Sequence, residues 1–382
     1  MTIKPLKKLV ALSLAILILL AGCQTTDTSW AFELEGERLP AGAYILFQNQ
    51  ALMTATDRLY QDWLDWERSD DPDAPEPAFV FDLSPSEMLA AEIDGISMRD
   101  WVINEAQRLA RQHFAVLALL DEFEIAVDPV LLAQADAAAQ RDYQQGEADF
   151  REIGVAESSL ALVYRASVSL NALFDGLYGE DGVQQVPEAE IRAYFDENFI
   201  RGQELFFWKD EVYPEYFEDE AELVEAQRAA DAENARLREL ASAYFERLSA
   251  GEAIEDLQYE LDLELRGEDA GVTRSPTGGL DIILRRDTQN HFMFSQEMID
   301  TLISTAVGQS AMTENDSAII LVRRLDLFES TSDLEDYRAE IIHSLRHGDQ
   351  FFAMLDERAA ELPVIVNQNA INRYSPSRLL NM

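Results

Sequence analysis

The chain has 382 residues, of which 72 are acidic and 30 are basic, and its formal net charge is -42. Such a surface repels nucleic-acid phosphates and anionic lipid headgroups, so we predict that neither is a direct partner. A hydrophobic fraction of 47% excludes wholesale disorder, and the length suffices for roughly two or three domains.

Residues 1–22 have the pattern of a signal peptide. Lysines near the start precede an apolar run, Leu9 to Leu20, that is too short to span a membrane comfortably. The next residues, Leu20-Ala21-Gly22-Cys23, resemble the bacterial lipoprotein box, which implies a lipid on Cys23 as the mature amino terminus. Cys23 is the only cysteine, which excludes an internal disulfide. The alternative for a lone cysteine is a buried structural thiol, which this position disfavours.

The mature chain begins with a polar tether, residues 23–30. Two short segments around Gly36 predict a hairpin that leads into a helix from Tyr44 to Trp66. The acid- and proline-rich stretch from Ser69 to Pro77 predicts a solvated loop. A similar short entry pattern recurs at Ala91 to Ile96.

Capping signals divide the following sequence into helices. Ser97 with Asp100 resembles a capping box, and Asp128-Pro129 supplies a cap and a first-turn proline. Gly154 separates two helical stretches. The helices predicted after the capping box lie at 98–120, 129–146, Glu157 to Tyr178 and Glu188 to Asn198.

The stretch 202–326 interrupts the helical sequence and is predicted to be an inserted domain. Glu204 to Trp208 and Ala318 to Val322 are short, apolar and bulky, as buried strands are. If these two strands pair, they bring the ends of the insert together. Between them we predict a long helix that stops at Gly251, a glycine turn, and a second helix from Phe294 to Leu302. One helix from Ser332 to Leu362 is predicted afterwards.

The sequence around these helices is similar to that of a known family. Ile93-Asp94-Gly95 before the capped helix, and the run Val186 to Phe195, resemble the amino-terminal chaperone region of the PrsA/SurA foldases. The resemblance implies an α+β fold, in which N- and C-terminal segments (31–200 and 330–382) form a mainly helical chaperone domain. It also implies that a parvulin-like α/β domain, 201–329, is inserted between them.

Within the insert, Gly278-Gly279-Leu280-Asp281 and Val307-Gly308-Gln309-Ser310 resemble turns of the parvulin prolyl isomerases. Active parvulins usually carry one histidine in the first strand and one in the last, which support a hydrogen-bonded cluster facing the substrate. The resemblance places Leu205 and Ala318 at these two positions, and neither side chain can form a hydrogen bond. We therefore predict a catalytically degenerate domain.

The resemblance also suggests a substrate pocket formed by Phe294, Phe206 and Ile320. His291, in the preceding loop, would be a replacement for a lost histidine or, as we prefer, a polar surface residue. No metal and no cofactor are predicted.

Three further histidines have structural explanations. His343 and His347 have the spacing of zinc ligands, but without a nearby cysteine we interpret them as part of a solvated or packed helix face. His113 falls on an apolar helix face and is predicted to be packed there.

The predicted function is that of an extracytoplasmic foldase or chaperone lipoprotein, anchored to the cell membrane through Cys23. Its partners would be unfolded or nascent secreted polypeptides. Two alternatives remain open: an active peptidyl-prolyl isomerase, and a non-catalytic envelope scaffold.

Overall fold

The computed structural model describes residues 29–69, 77–217, 219–267, 271–276, 278, 280–287 and 296–381. The chain divides into two compact units. The first runs up to Gln185 and resumes at Ser344, and the second is Val186–His343. Whether these units are a chaperone domain and a parvulin-like domain stays a prediction.

The first unit opens with the predicted hairpin, formed by β1 (Trp30–Leu34) and β2 (Glu37–Pro40). The strands are antiparallel, with Leu34 opposite Glu37. Glu35 and Gly36 close the turn with φ angles of 51° and 92°. Glycine adopts this left-handed conformation without steric cost, which explains its position in the turn.

Six helices follow in the first unit, with a short hairpin before the third. They are α1 (Ala41–Glu67), α2 (Pro85–Ala90), α3 (Met98–Glu122), α4 (Pro129–Gln145), α5 (Glu147–Ile153) and α6 (Glu157–Tyr178). The hairpin is formed by β3 (Glu92–Ile93) and β4 (Ile96–Ser97), and a 3-10 turn lies at Val80–Asp82.

The predicted caps are confirmed. Ser97 Oγ accepts a hydrogen bond from the Asp100 amide at 3.1 Å, and Asp128 Oδ1 accepts one from the Val130 amide at 2.8 Å. Gly154 ends α5 with a φ of 88°. These contacts satisfy amide groups that a helix start otherwise leaves without a partner.

Helices α1, α3 and α6 enclose the core of the first unit. Tyr44, Met98 and Phe114 are buried there. Asp94, at the turn between β3 and β4, accepts two hydrogen bonds of 2.8 Å from the Arg58 guanidinium, and one of 3.3 Å from the Trp101 indole. The Ile-Asp-Gly sequence therefore joins this hairpin to α1 and α3.

The second unit consists of α7, a four-stranded sheet, three helices around the sheet, and residues 331–343 of the helix that follows. In chain order its elements are α7 (Glu188–Asn198), β5 (Phe199–Trp208), α8 (Glu220–Ser249), α9 (Ile254–Arg266), β6 (Asp281–Arg285), α10 (Gln296–Ser304), β7 (Ser310–Glu314) and β8 (Ala318–Arg324). The sheet is antiparallel, in the order β6-β5-β8-β7. The predicted pairing of the two end strands is confirmed, because Glu204 lies opposite Val322 and Trp208 opposite Ala318. Strand β6 was not predicted.

The single helix predicted from Ser332 to Leu362 is wrong. The structure has two helices, α11 (Thr331–Arg346) and α12 (Asp349–Glu361), separated at His347 and Gly348. Glycine is a poor helix former, and here it interrupts an otherwise continuous apolar pattern.

The end of the chain returns to the first hairpin. Strand β9 (Ile365–Val366) pairs with β1, and the Asn367 amide donates to the Ala31 carbonyl at 2.8 Å. Helix α13 (Gln368–Arg373) and a 3-10 helix at Pro376–Asn381 follow. The first unit is thus built from both ends of the described chain.

Candidate functional site

The two faces of the second unit's sheet have different neighbours. Successive side chains of a strand point to opposite faces. Leu205, Phe207 and Leu321 pack with residues of α8 and α9. Phe206, Ala318 and Ile320 pack with residues of α10.

Leu205 and Ala318 therefore lie on opposite faces of the sheet. Both are buried and apolar. The register pairs Leu205 with Leu321 and Ala318 with Trp208, so the structure does not bring these two predicted positions together. The residues of β5 that share the face of Ala318 are Ile200, Gly202, Glu204, Phe206 and Trp208.

Two residues of the suggested pocket are neighbours. Phe206 lies directly opposite Ile320 in the ladder, on the α10 face. The Phe206 ring also stacks on the Trp208 ring, with centroids 5.0 Å apart and an interplanar angle of 6°. Phe294 and His291 lie outside the described residues. The pocket as a whole stays a prediction.

Glu204 is an ionisable group that the sequence gave no reason to single out. Burial raises the pKa of its carboxyl to about 7. Its Oε2 atom is buried and has no hydrogen-bond partner among the described residues. Such a carboxyl favours its neutral form, because an unpaired charge in an apolar environment is costly.

The first unit carries an apolar groove of about 400 Å³. The groove lies between α1, the 3-10 turn at Val80–Asp82, α2 and the 3-10 helix at the end of the chain. Its lining consists of Leu52, Met53, Thr56, Asp57, Tyr60, Phe81, Met88 and Leu380. Met53 and Phe81 are 66% and 63% exposed. Flexible Met and aromatic side chains suit a surface that accommodates varied apolar ligands.

An aromatic cluster supports one wall of this groove. The Phe81 ring lies 5.6 Å from the Tyr60 ring and 5.4 Å from the Phe79 ring, and Trp63 lies 4.8 Å from Phe79. These contacts hold Phe81 in place while leaving most of its surface to solvent. Aromatic pairs of this geometry contribute roughly 0.5–1.5 kcal/mol beyond their burial.

Sequence reasoning missed the groove because its lining comes from four separate elements. A local signal was present, because Phe79 and Phe81 directly follow an acid- and proline-rich loop. Turns are formed by Gly, Pro, Asn, Asp and Ser, so the turn itself does not explain two aromatic residues. Two aromatic residues beside a polar loop therefore indicate a surface contact.

The histidines of the first unit have packed surroundings. Burial lowers the pKa of His113 to about 4, which agrees with its prediction as a packed residue. The His347 ring lies past the end of α11 and packs 5.3 Å from the Phe174 ring and 5.8 Å from the Phe351 ring. Within the described residues, His, Cys, Asp and Glu form no group of three or more suited to a metal ion.

The predicted lipidation site, Cys23, lies outside the described residues. Across the part of the chain that the structure describes, no helix has both the length and the apolar composition needed to cross a membrane.

Solved foldases are structurally similar to this chain at low identity. The foldase protein PrsA from Lactococcus lactis gives a TM-score of 0.34 at 8% identity, covering 91% of this chain and 100% of that one. PrsA from Streptococcus pneumoniae gives 0.31 at 12% identity, covering 75% and 98%. The peptidylprolyl isomerase PrsA from Bacillus cereus gives 0.29 at 14% identity, covering 78% and 100%.

No protein-family model matches the sequence, and no curated protein matches it. Identities and TM-scores this low assign the chain to no family. Its function therefore has to be argued from its own residues.

Proposed function

We propose that this protein is an extracytoplasmic chaperone of the foldase type, which holds unfolded secreted polypeptides while anchored to the membrane through a lipid on Cys23. The observation that carries the proposal is the apolar groove of the first unit. An unfolded chain exposes apolar side chains. Burying them in the groove removes their surface from water, with a favourable free energy of about 25 cal/mol for each Å² of apolar surface buried.

The surrounding charge complements this groove. With a net charge of -42, copies of the protein repel one another, which keeps complexes with sticky clients dispersed. The anchor is supported by the sequence Leu20-Ala21-Gly22-Cys23 after an apolar leader. Both features fit a protein that works outside the cytoplasm on chains that would otherwise aggregate.

The proposal gives the second unit a binding role and no strong isomerase activity. Leu205 and Ala318 are apolar and face opposite sides of the sheet, so neither supports a polar cluster over a prolyl bond. A proline-peptide assay coupled to a protease tests this point. We expect a rate close to the uncatalysed one, and a large acceleration would favour the isomerase alternative.

The main test is suppression of aggregation. The purified chain from residue 24 onward should suppress light scattering by a denatured client at stoichiometric ratio. The double variant Met53→Ser/Phe81→Ser should require a roughly threefold higher ratio, because it removes exposed apolar surface from the groove. Both side chains are mostly exposed, so the cost to the fold should be limited to the ring contacts of Phe81 with Tyr60 and Phe79.

The matched control is Val130→Ser/Val183→Ser. These valines are comparably exposed in the same unit but do not line the groove. If the wild-type chain fails to suppress aggregation, or if both double variants behave alike, the groove is not the client site.

In cells, Cys23→Ser should move the protein from the membrane to the soluble fraction, and unchanged membrane association would contradict the anchor.

A further inference from the structure

The end of β5 and the loop after it present exposed aromatic side chains among acids. Trp208, Tyr213 and Tyr216 are 62%, 48% and 78% exposed. Glu211 and Glu215 are exposed in the same segment. We call these five residues the aromatic–acidic patch. Several exposed aromatic side chains close together in sequence make this segment a candidate interaction site.

Hydrogen bonds hold the backbone of this segment in place. The Lys209 amide donates to the Ser317 carbonyl at 2.9 Å. The Asp210 amide donates to the Asn234 side chain at 2.8 Å, and its carbonyl accepts from the same side chain at 3.0 Å. The patch is therefore anchored to α8 and to the turn between β7 and β8.

The rings are also ordered relative to the acids. Tyr213 and Tyr216 lie edge to face, with centroids 5.8 Å apart. The Tyr213 hydroxyl donates to the Glu211 carboxylate. Hydrogen bonds from Ser317 and Tyr213 lower the pKa of Glu211, so this carboxylate is charged at neutral pH. A negative charge thus stands at the hydroxyl end of an exposed tyrosine ring.

The segment itself contains almost no positive charge. Lys209 is the only basic residue between Phe206 and Phe217. Its side chain is largely buried, with Nζ 3.1 Å from Glu314 Oε1 and 2.6 Å from the Asn315 carbonyl. The patch accordingly combines exposed rings with carboxylates, and Lys209 forms its ion pair with Glu314 while acting on Glu211 only at longer range.

We propose that the aromatic–acidic patch binds cationic segments of unfolded polypeptides, with Arg or Lys side chains over the rings and paired with the carboxylates. The choice of an unfolded chain as the ligand rests on the proposed chaperone function. The chemistry follows from the patch itself, since ring faces attract guanidinium and ammonium groups, and nearby carboxylates pair with them.

The same arrangement of ring, carboxylate and guanidinium occurs twice within the first unit. The Arg38 guanidinium lies 5.4 Å from the Trp30 ring centroid and 2.6 Å from Glu33. The Arg58 guanidinium lies 5.5 Å from the Trp101 ring and 2.8 Å from Asp94. The aromatic–acidic patch supplies two of these three components and lacks the cation.

Charge also decides between a client and a second copy of the chain as the occupant. Two copies with a net charge of -42 each repel strongly, and their patches carry the same sign. At the separations where two copies repel each other, a cationic client is attracted to the acidic surface. It also supplies the group that the patch lacks.

The test measures, by fluorescence anisotropy, the affinity of the mature protein for each of two labelled unstructured peptides. One peptide carries several Arg residues in a Ser/Leu background, and in the other each Arg is replaced by Gln. The Arg peptide should bind more tightly, and added salt should weaken it. Tyr213→Ser/Tyr216→Ser and Glu211→Gln/Glu215→Gln should each reduce its affinity about fivefold.

The matched control is Glu152→Gln/Glu180→Gln, which removes the same charge from exposed positions of the first unit. It should leave affinity for the Arg peptide within a factor of about two. Equal binding of the two peptides, equal losses in the patch and control variants, or self-association that Tyr213→Ser/Tyr216→Ser abolishes would each overturn the proposal.

The aggregation assay separates this inference from the chaperone function. If the patch variants keep full suppression of a neutral client and the peptides do not discriminate, the patch proposal fails while the groove proposal stands. If the Arg peptide binds through the patch but no client is protected, the patch is a cation-binding surface and the chaperone function fails.

Discussion

Glu204 places an ionisable carboxyl between apolar side chains on the α10 face of the sheet. Phe206, Ile320 and Val322 surround it along β5 and β8. The nearest cation in the register, Arg324, donates to the Ile303 and Thr305 carbonyls at 3.0 and 2.9 Å, and so is already engaged. Burial without a partner raises the pKa of Glu204 from 4.5 to about 7.

This shift makes the stability of the second unit depend on pH. The folded state binds the Glu204 proton more tightly than the unfolded state does, so this stabilisation is fully present below pH 4.5 and is lost as pH rises through about 7. At pH 8 the ionised carboxyl should destabilise the fold by up to about 3 kcal/mol. Glu204→Gln, which stays neutral, should be more stable than wild type at pH 8 and similar to it at pH 5.

Urea unfolding of both proteins at the two pH values measures this difference. Glu225→Gln, an exposed position on α8, is the control and should show no such change between pH 5 and pH 8. A stability difference between Glu204→Gln and wild type that is the same at both pH values would show that Glu204 is not protonated in the folded state near neutrality.

At the scale of elements, α10 packs closely against β5 at Gly202. A Cβ atom there would lie 2.7 Å from Leu302 Cδ2 and 3.1 Å from the Arg323 carbonyl oxygen. Since the ladder fixes that carbonyl, the buried Leu302 side chain has to shift within the packing between α10 and the sheet. We expect Gly202→Ala to destabilise the second unit by about 1–3 kcal/mol.

A double-mutant cycle identifies the helix as the cause. Leu302→Ala alone should destabilise the protein through a cavity, but it also makes room for the new methyl group. The double variant should therefore be less destabilised than the sum of the two single variants. Simple additivity would mean that strain at the Arg323 carbonyl, rather than at α10, dominates.

Elements whose signals are local could be predicted from the sequence. The bounds of α6 and α7 match the predicted Glu157 to Tyr178 and Glu188 to Asn198. Gly179 follows the end of α6 and Pro187 precedes the start of α7, so these two bounds are signalled by residues next to the helices. The hairpin of β1 and β2 follows from the same kind of signal.

Features that depend on pairing between distant segments could not be predicted. Strand β5 begins at Phe199, five residues before the predicted strand, because β6 pairs with its first half, Phe199 to Gln203. The faces on which Leu205 and Ala318 lie depend on the strand register. A shift of one residue in either strand would move its side chains to the opposite face. The apolar groove is likewise assembled from segments far apart in sequence, such as Met53, Phe81 and Leu380.

At the scale of the whole molecule, two electrostatic effects oppose each other. Most ion pairs are at the surface, such as Arg236 with Glu233 and Arg165 with Asp136, and exposed pairs contribute little each. Salt weakens these pairs. The net charge of -42 produces self-repulsion across the whole surface, and salt weakens that as well.

Self-repulsion should be the larger effect, because the excess acids have no basic partner. Raising NaCl from about 0.01 M to about 0.15 M shortens the Debye length from about 30 Å to about 8 Å. We expect the thermal unfolding midpoint, followed by circular dichroism, to rise by roughly 5 °C. The rise should shrink at pH 4, where many carboxylates are protonated and the net charge is smaller. A midpoint that falls with salt at pH 7 would mean that the surface ion pairs act as a network whose strength exceeds the repulsion between the remaining acids.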